Sequence, residues 1–301
     1  TGCGSTYYLS RWAARVCELV HGVVSRAVPA SDLLLFPEAW WHAAKKTLFV
    51  TVSRSSETTE TIRALEHFQA ANLGDVIAVT CYPDGQLARL APYMVAVPDA
   101  QEQSIAQTRS FTSMLLAVIW LISRQIPTGL PAVFAEKGKS LIEENIALAE
   151  RVGRDDSIDR FFFLGSGPMY GLANEAMLKM KEMSLSHSEP FHFMEFRHGP
   201  QSMVTPSALT IGLRSTVNGQ KEAAVLEDVR ALGGRVLDIA EAGPTTSPRG
   251  THWEVRFGSG LDEAIRNVLY LPIGQMIAFE RSISKNLNPD RPNNLDSVVK
   301  L

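Results

Sequence analysis

The chain has 301 residues, of which 45% are apolar and 20% charged, and its formal net charge is −3. That balance describes an ordinary globular protein long enough for two domains. It excludes a global field that would draw nucleic acid or an anionic membrane, so an anionic ligand has to be held by a local site. The three cysteines, Cys3, Cys17 and Cys81, fall in no metal or redox spacing and point to a reducing, cytoplasmic compartment. The longest apolar run, Met114 to Ile122, is too short to span a bilayer, and no secretory signal is visible.

Thr1-Gly-Cys-Gly-Ser-Thr6 reads as a strand-to-helix loop with no strand before it, as though the natural start were absent. Thr47–Val52 is a short β-branched run, as expected of a buried parallel strand. A helix is expected over 57–71, strands at Asp75–Thr80 and Met94–Val97, and a helix over Ser110–Arg124. Pro127 and Pro131 mark a break before a long amphipathic helix, about Phe134–Val152, that opens a second unit. There Arg160–Leu164 is a strand, Gly165-Ser-Gly-Pro168 a turn, and a helix carrying Glu175, Lys179 and Glu182 follows, with His187 and His198 on the loop beyond. Strands at Leu209–Leu213 and Arg235–Ile239 flank a helix over Gly219–Leu232, and a helix over Val268–Leu287 precedes a polar tail. Strands alternating with helices imply parallel α/β layers. The similar turns at Gly4-Ser5-Thr6 and Gly165-Ser166-Gly167 suggest two copies of one domain.

Two clusters carry chemistry. Ser53-Arg54-Ser55-Ser56-Glu57-Thr58 lies between a strand and a helix, where free N–H groups and the helix dipole favour an anion. Hydroxyls of Ser53, Ser55 and Thr58 and the guanidinium of Arg54 suit phosphate oxygens. The alternative is a Ser/Thr-rich helix cap, and the similar turn at Cys3–Thr6 favours phosphate. Glu175, Lys179 and Glu182, spaced i, i+4, i+7, share one helical face. Glu182 could move a proton between adjacent sugar carbons, Lys179 could hold a sugar oxygen, and His198 could open the ring. A surface helix with two ion pairs fits the same spacing. The clustered His187, His192, His198, Glu189 and Glu195 match no standard zinc pattern, so no metal and no cofactor is expected.

These residues resemble the sugar isomerase (SIS) domain family in its tandem form, and within it the isomerase halves of glucosamine-6-phosphate synthases. The likeness rests on Cys3–Tyr7, Ser53–Thr58, Glu102–Thr112, Glu175–Pro200 and Asn288–Leu295, and covers nearly the whole chain. It implies two flavodoxin-like three-layer α/β/α domains with parallel sheets, at 1–126 and 127–287, with the tail 288–301 over the active site. It implies phosphate contacts from Ser5, Thr6, Ser53, Ser55 and Thr58, Glu182 as proton-shuttling base with Lys179 beside it, and His198 as ring-opening group supplied across a homodimer. The sugar would also be lined by Gln107, Asp296 and Ser297. The departures are a missing glutaminase domain, Arg54 for glutamine, Ser56 for glycine, Gln107 for a small serine, and Ser297 for the Schiff-base lysine, with Lys300 the nearest lysine. The expected function is a phosphosugar aldose–ketose isomerase or aminotransferase-like enzyme acting on a hexose 6-phosphate or amino-sugar phosphate, including as a deaminase. The alternative is a non-catalytic phosphosugar sensor. Neither nucleic acid nor membrane is an expected partner.

Overall fold

The computed structural model describes residues 1–41, 46–123, 126–243 and 247–301. The chain divides into two compact units, Thr1–Ser123 with Asn294–Leu301, and Arg124–Asn293. The last eight residues therefore pack with the first unit and not with the helix that precedes them in sequence.

Unit 1 runs α1 (Ser5–His21), α2 (Ala30–Leu35), α3 (Pro37–Trp41), β1 (Thr47–Ser53), α4 (Thr59–Ala70), β2 (Gly74–Thr80), α5 (Gln86–Leu90), β3 (Tyr93–Ala96) and α6 (Arg109–Ile122). Its three strands pair in parallel in the order β1-β2-β3. Thr1 lies along the free edge of β1, accepting the Val52 N–H at 2.9 Å, and Gly2 bridges in parallel to Pro29. The core under the sheet is Phe49 stacked on Phe68 at 4.7 Å, with Leu65, Val76 and Leu87. The helix expected to reach Arg124 ends at Ile122; Arg124 is outside the described residues.

Unit 2 runs α7 (Leu130–Gly153), β4 (Arg160–Gly165), α8 (Met169–Ser184), β5 (His187–Phe191), α9 (Phe193–Phe196), β6 (Ala208–Leu213), α10 (Gly219–Ala231), β7 (Arg235–Glu241), β8 (Trp253–Phe257), α11 (Glu263–Arg266) and α12 (Leu271–Ser284). All five strands are parallel, in the order β5-β4-β6-β7-β8. The order reverses direction between β4 and β6, the place where open α/β sheets hold ligands. Unit 1 repeats the scheme, with Pro29, Gly2, β1, β2 and β3 in the corresponding places.

Three expectations are corrected. The long helix starts before Pro131 and not after it: Pro131 sits in the first turn of α7, where a missing N–H costs nothing. The histidine-bearing segment after α8 is not all loop, because His187–Phe191 forms β5. Pro190 is tolerated there because β5 is an edge strand bonded on one side only. The last helix is shorter than expected, with a 3₁₀ turn at Asn267–Tyr270 before α12. Among the described residues no helix is long and apolar enough to cross a membrane.

Candidate functional site

In unit 1, the Thr1–Gly2 run and β1 end side by side, which brings the turns into α1 and α4 to one end of the sheet. Gly2 is required by close approach: a Cβ there would lie 2.5 Å from Thr6 Oγ1. Ser53 is buried at the end of β1, and among the described residues its hydroxyl has no partner, as is also true of Thr51 on the same strand. A buried hydroxyl left unbonded costs about 1–3 kcal/mol, so a ligand oxygen at Ser53 would recover that deficit. Ser55 Oγ accepts the Glu57 N–H at 3.2 Å, which leaves its own proton available. Thr58 is the N-cap residue of α4 and makes no side-chain capping bond. Ser5 is buried in the first turn of α1.

Two residues expected to hold phosphate are otherwise engaged. The Thr6 hydroxyl donates to Cys3 O at 2.9 Å and accepts from Cys3 N–H at 3.0 Å. Arg54 donates to the carbonyls of Ser104 at 3.0 Å, Ile105 at 2.9 Å and Ser297 at 3.1 Å. Its guanidinium thus clasps the 104–105 loop and the C-terminal tail, with backbone carbonyls in the place of phosphate oxygens. Ser56, in place of glycine, keeps a left-handed φ of 62°. Its hydroxyl accepts the Ala88 N–H at 3.0 Å, offsetting strain that a non-glycine residue carries there. The tail also reaches α4, with Thr59 N–H to Val299 O at 3.5 Å and Leu301 N–H to Thr59 Oγ1 at 3.3 Å. Asp296 and Ser297 are exposed, whereas the Gln107 Oε1 is buried and has no partner among the described residues.

The other side of the 104–105 loop is closed by Glu102. Its carboxylate accepts the backbone N–H of Thr108, Arg109 and Ser110 at 3.0–3.2 Å and the hydroxyls of Thr108 and Ser110. It is therefore the N-terminal anchor of α6, where a negative charge is favoured. Glu102→Ala is expected to lower the stability of the chain by about 3 kcal/mol, from the loss of several charge-assisted bonds. A lower urea midpoint in unfolding followed by circular dichroism would register it.

In unit 2, Glu175, Lys179 and Glu182 share one face of α8, as their spacing requires, but the helix is not a solvated one. Lys179 and Glu175 are fully buried. Lys179 Nζ donates to Glu182 Oε2 and lies 3.4 Å from Glu175 Oε1. Burial alone would lower the Lys179 pKa; the carboxylates of Glu175 and Glu182 outweigh it and hold the ammonium above its ordinary value. Glu182 is the one member of the trio that reaches solvent, with 18% of its side chain exposed. The close approach of α12 helps bury the helix: a Cβ on Gly274 would lie 3.3 Å from that of Ala176. Lys285 caps the end of α8, donating to Ser184 O and Ser186 Oγ at 2.9 Å. His198 is exposed beyond α9, and no hydrogen bond or ion pair among the described residues joins it to Glu182. His192 stacks on Tyr170 at 3.8 Å. Among the described residues no three His, Cys, Asp or Glu side chains gather as a metal would require.

The carboxyl end of the second sheet holds a buried charge network that the sequence reading did not single out. Arg214 and Asp238, both fully buried, form a two-point pair with both N···O distances 2.9 Å, and Arg256 adds a third bond to Asp238. Glu222 accepts Ser215 N–H at 2.6 Å and Ser215 Oγ–H at 3.0 Å. Burial pushes the Glu222 carboxyl up, opposed by the donors of Ser215 and Ser166.

A parallel α/β unit with Ser/Thr turns at the carboxyl end of its sheet defines the class, and residues 1–124 match the family model described as the SIS domain. The chain is similar to the glutamine–fructose-6-phosphate aminotransferase (isomerizing) of Methanothermobacter thermautotrophicus, 24% identical over 305 residues that make up 99% of this chain and 50% of the relative. That of Pseudomonas putida is 27% identical over 313 residues, with the same shares. The chain spans about half the length of the curated relatives it matches. Among solved structures it resembles glucosamine-6-phosphate deaminase from Thermotoga maritima, at 25% identity and a TM-score of 0.83, covering 100% of this chain and 89% of that one. Tagatose-6-phosphate ketose/aldose isomerase from Escherichia coli, at 21% identity and a TM-score of 0.88 over 98% and 83% of the two chains, shares the fold.

Proposed function

We propose that the chain is an enzyme that interconverts the aldose and ketose forms of a hexose 6-phosphate or amino-sugar phosphate; when C2 carries an amine, the same proton shift gives a C2 imine, which water hydrolyses to the ketone and ammonia. The observation that carries this reading is the buried Lys179, which bonds one oxygen of Glu182, a side chain that is itself partly exposed. A carboxylate so tethered is oriented for proton transfer and its charge is balanced. In the ketose direction Glu182 removes the C2 proton of the opened aldose and returns it to C1 through an enediolate; the electron pair of the broken C2–H bond passes into the enediolate and ends in the new C1–H bond. His198 exchanges protons with the ring oxygen and the anomeric hydroxyl to open the sugar, supplied from the second chain of a homodimer. Phosphate is taken by Ser5, Ser53, Ser55 and Thr58; the unpaired hydroxyl of Ser53 supports that assignment. Arg54 and Thr6 then act by shaping the turns.

Unit 2 is read as a second copy of the SIS domain, supported by its matching strand order. The names of the relatives support an amino-sugar or ketose phosphate. Ser297, standing where the synthases place a Schiff-base lysine, favours isomerisation or deamination over amination of the ketose. The test is incubation in deuterated water with glucosamine 6-phosphate and with fructose 6-phosphate. Deuterium at C1 or C2, with or without ammonia release, is the expected result. Binding without exchange or turnover of either would leave a sensor.

A further inference from the structure

The two units can be compared position by position from the helix caps. Thr58 caps α4 and Asn218 caps α10. Four residues before each cap stands an arginine, Arg54 or Arg214, and three before stands a serine, Ser55 or Ser215. The serines differ in what they hold. Among the described residues the Ser55 N–H and hydroxyl proton are donated to no protein acceptor. Those of Ser215 both go to Glu222 Oε2. Four residues after the cap, α4 has the apolar Ile62 where α10 has Glu222. Glu222 is 2% exposed, and Ser166 is a further donor to its carboxylate beside Ser215. Beside it Arg266, 5% exposed, donates to Thr216 Oγ1 at 2.7 Å, to Leu261 O at 2.8 Å and to Glu263 Oε2 at 3.2 Å, and its Nε lies 3.9 Å from Glu241 Oε2. The Ser215 turn thus already holds a carboxylate on the two donors that the Ser55 turn keeps open.

We propose that Glu222 is an internal ligand: its carboxylate fills, in unit 2, the Ser215 anion seat, which would otherwise take a phosphate. The same turn chemistry is thus kept twice, open at Ser55 and closed at Ser215 by one side chain reaching back from the next helical turn. Phosphate is chosen as the ligand on the reading of the Ser53–Thr58 turn given above; the closure of the Ser215 seat is read from unit 2 alone.

The experiment is titration of the full chain with inorganic phosphate, followed through the backbone amide resonances of Ser215 and Ser55. In the parent chain the Ser215 amide is expected to stay put. In Glu222→Ala it should shift saturably, with affinity at least tenfold above the parent, and in the isosteric Glu222→Gln it should stay put again, since the amide oxygen can still accept from Ser215. Glu222→Ser keeps a small polar group and serves if the alanine variant does not fold. A Ser215 amide that ignores phosphate in the folded alanine or serine variant overturns the inference, as does one that responds in the parent. Failure of the phosphate assignment in unit 1 would show separately, as a silent Ser55 amide.

Discussion

Glu182→Gln is expected to lower turnover of the sugar phosphate by about 10²–10⁴-fold, the range that a positioned general base contributes. The amide keeps the shape of the side chain and can still accept from Lys179, so the helix is retained; Glu175 remains as the second partner of the ammonium. What is lost is the capacity to take up and return a proton. Ligand affinity should therefore change by no more than a few-fold, because the phosphate contacts are assigned to other residues. Steady-state kinetics beside a binding titration would separate the two quantities. A kcat within tenfold of the parent would remove Glu182 from the mechanism.

Asp238→Ala is expected to cost about 3–5 kcal/mol, the scale for removing one partner of a buried ion pair. Asp238 receives both Nε and Nη2 of Arg214 and a further bond from Arg256. Without it, the fully buried Arg214 keeps only the Gly219 carbonyl at 3.2 Å. That loss is a large part of the 5–15 kcal/mol that typically holds a domain folded. Urea unfolding should show a sharply reduced midpoint, and Asp238→Asn, which keeps an acceptor, should lie between the two. A loss below about 1 kcal/mol would mean that water reaches Arg214 and that the pair is not buried in solution.

The central strands were legible because they must be apolar on both faces: Thr47–Val52, Asp75–Thr80, Arg160–Leu164, Leu209–Leu213 and Arg235–Ile239 all fall on strands. The edge strands of the second sheet were not. β5 carries His187, Glu189 and Pro190, and β8 reads Trp-Glu-Val-Arg-Phe, compositions that an edge tolerates and a loop shares. For the candidate site, spacing placed Glu175, Lys179 and Glu182 on one face. It left open whether that face was wet, because α12, which packs on the helix, is remote in sequence. Arg54 was misjudged for a similar reason: its acceptors lie about 50 and 243 residues away and are backbone atoms, which leave no trace in residue type. The pairing of Ser215 with Glu222 was missed because a glutamate in a first helical turn is ordinary capping composition.

The clasp made by Arg54 ends on the main chain of residue 297 and ignores its side chain. Every amino acid offers the same carbonyl, so the anchoring of the tail is indifferent to what residue 297 is. Position 297 is therefore free to drift. A primary amine could be gained or lost there by simple substitution while the peptide keeps its path, which separates the evolution of the tail's chemistry from the evolution of its conformation.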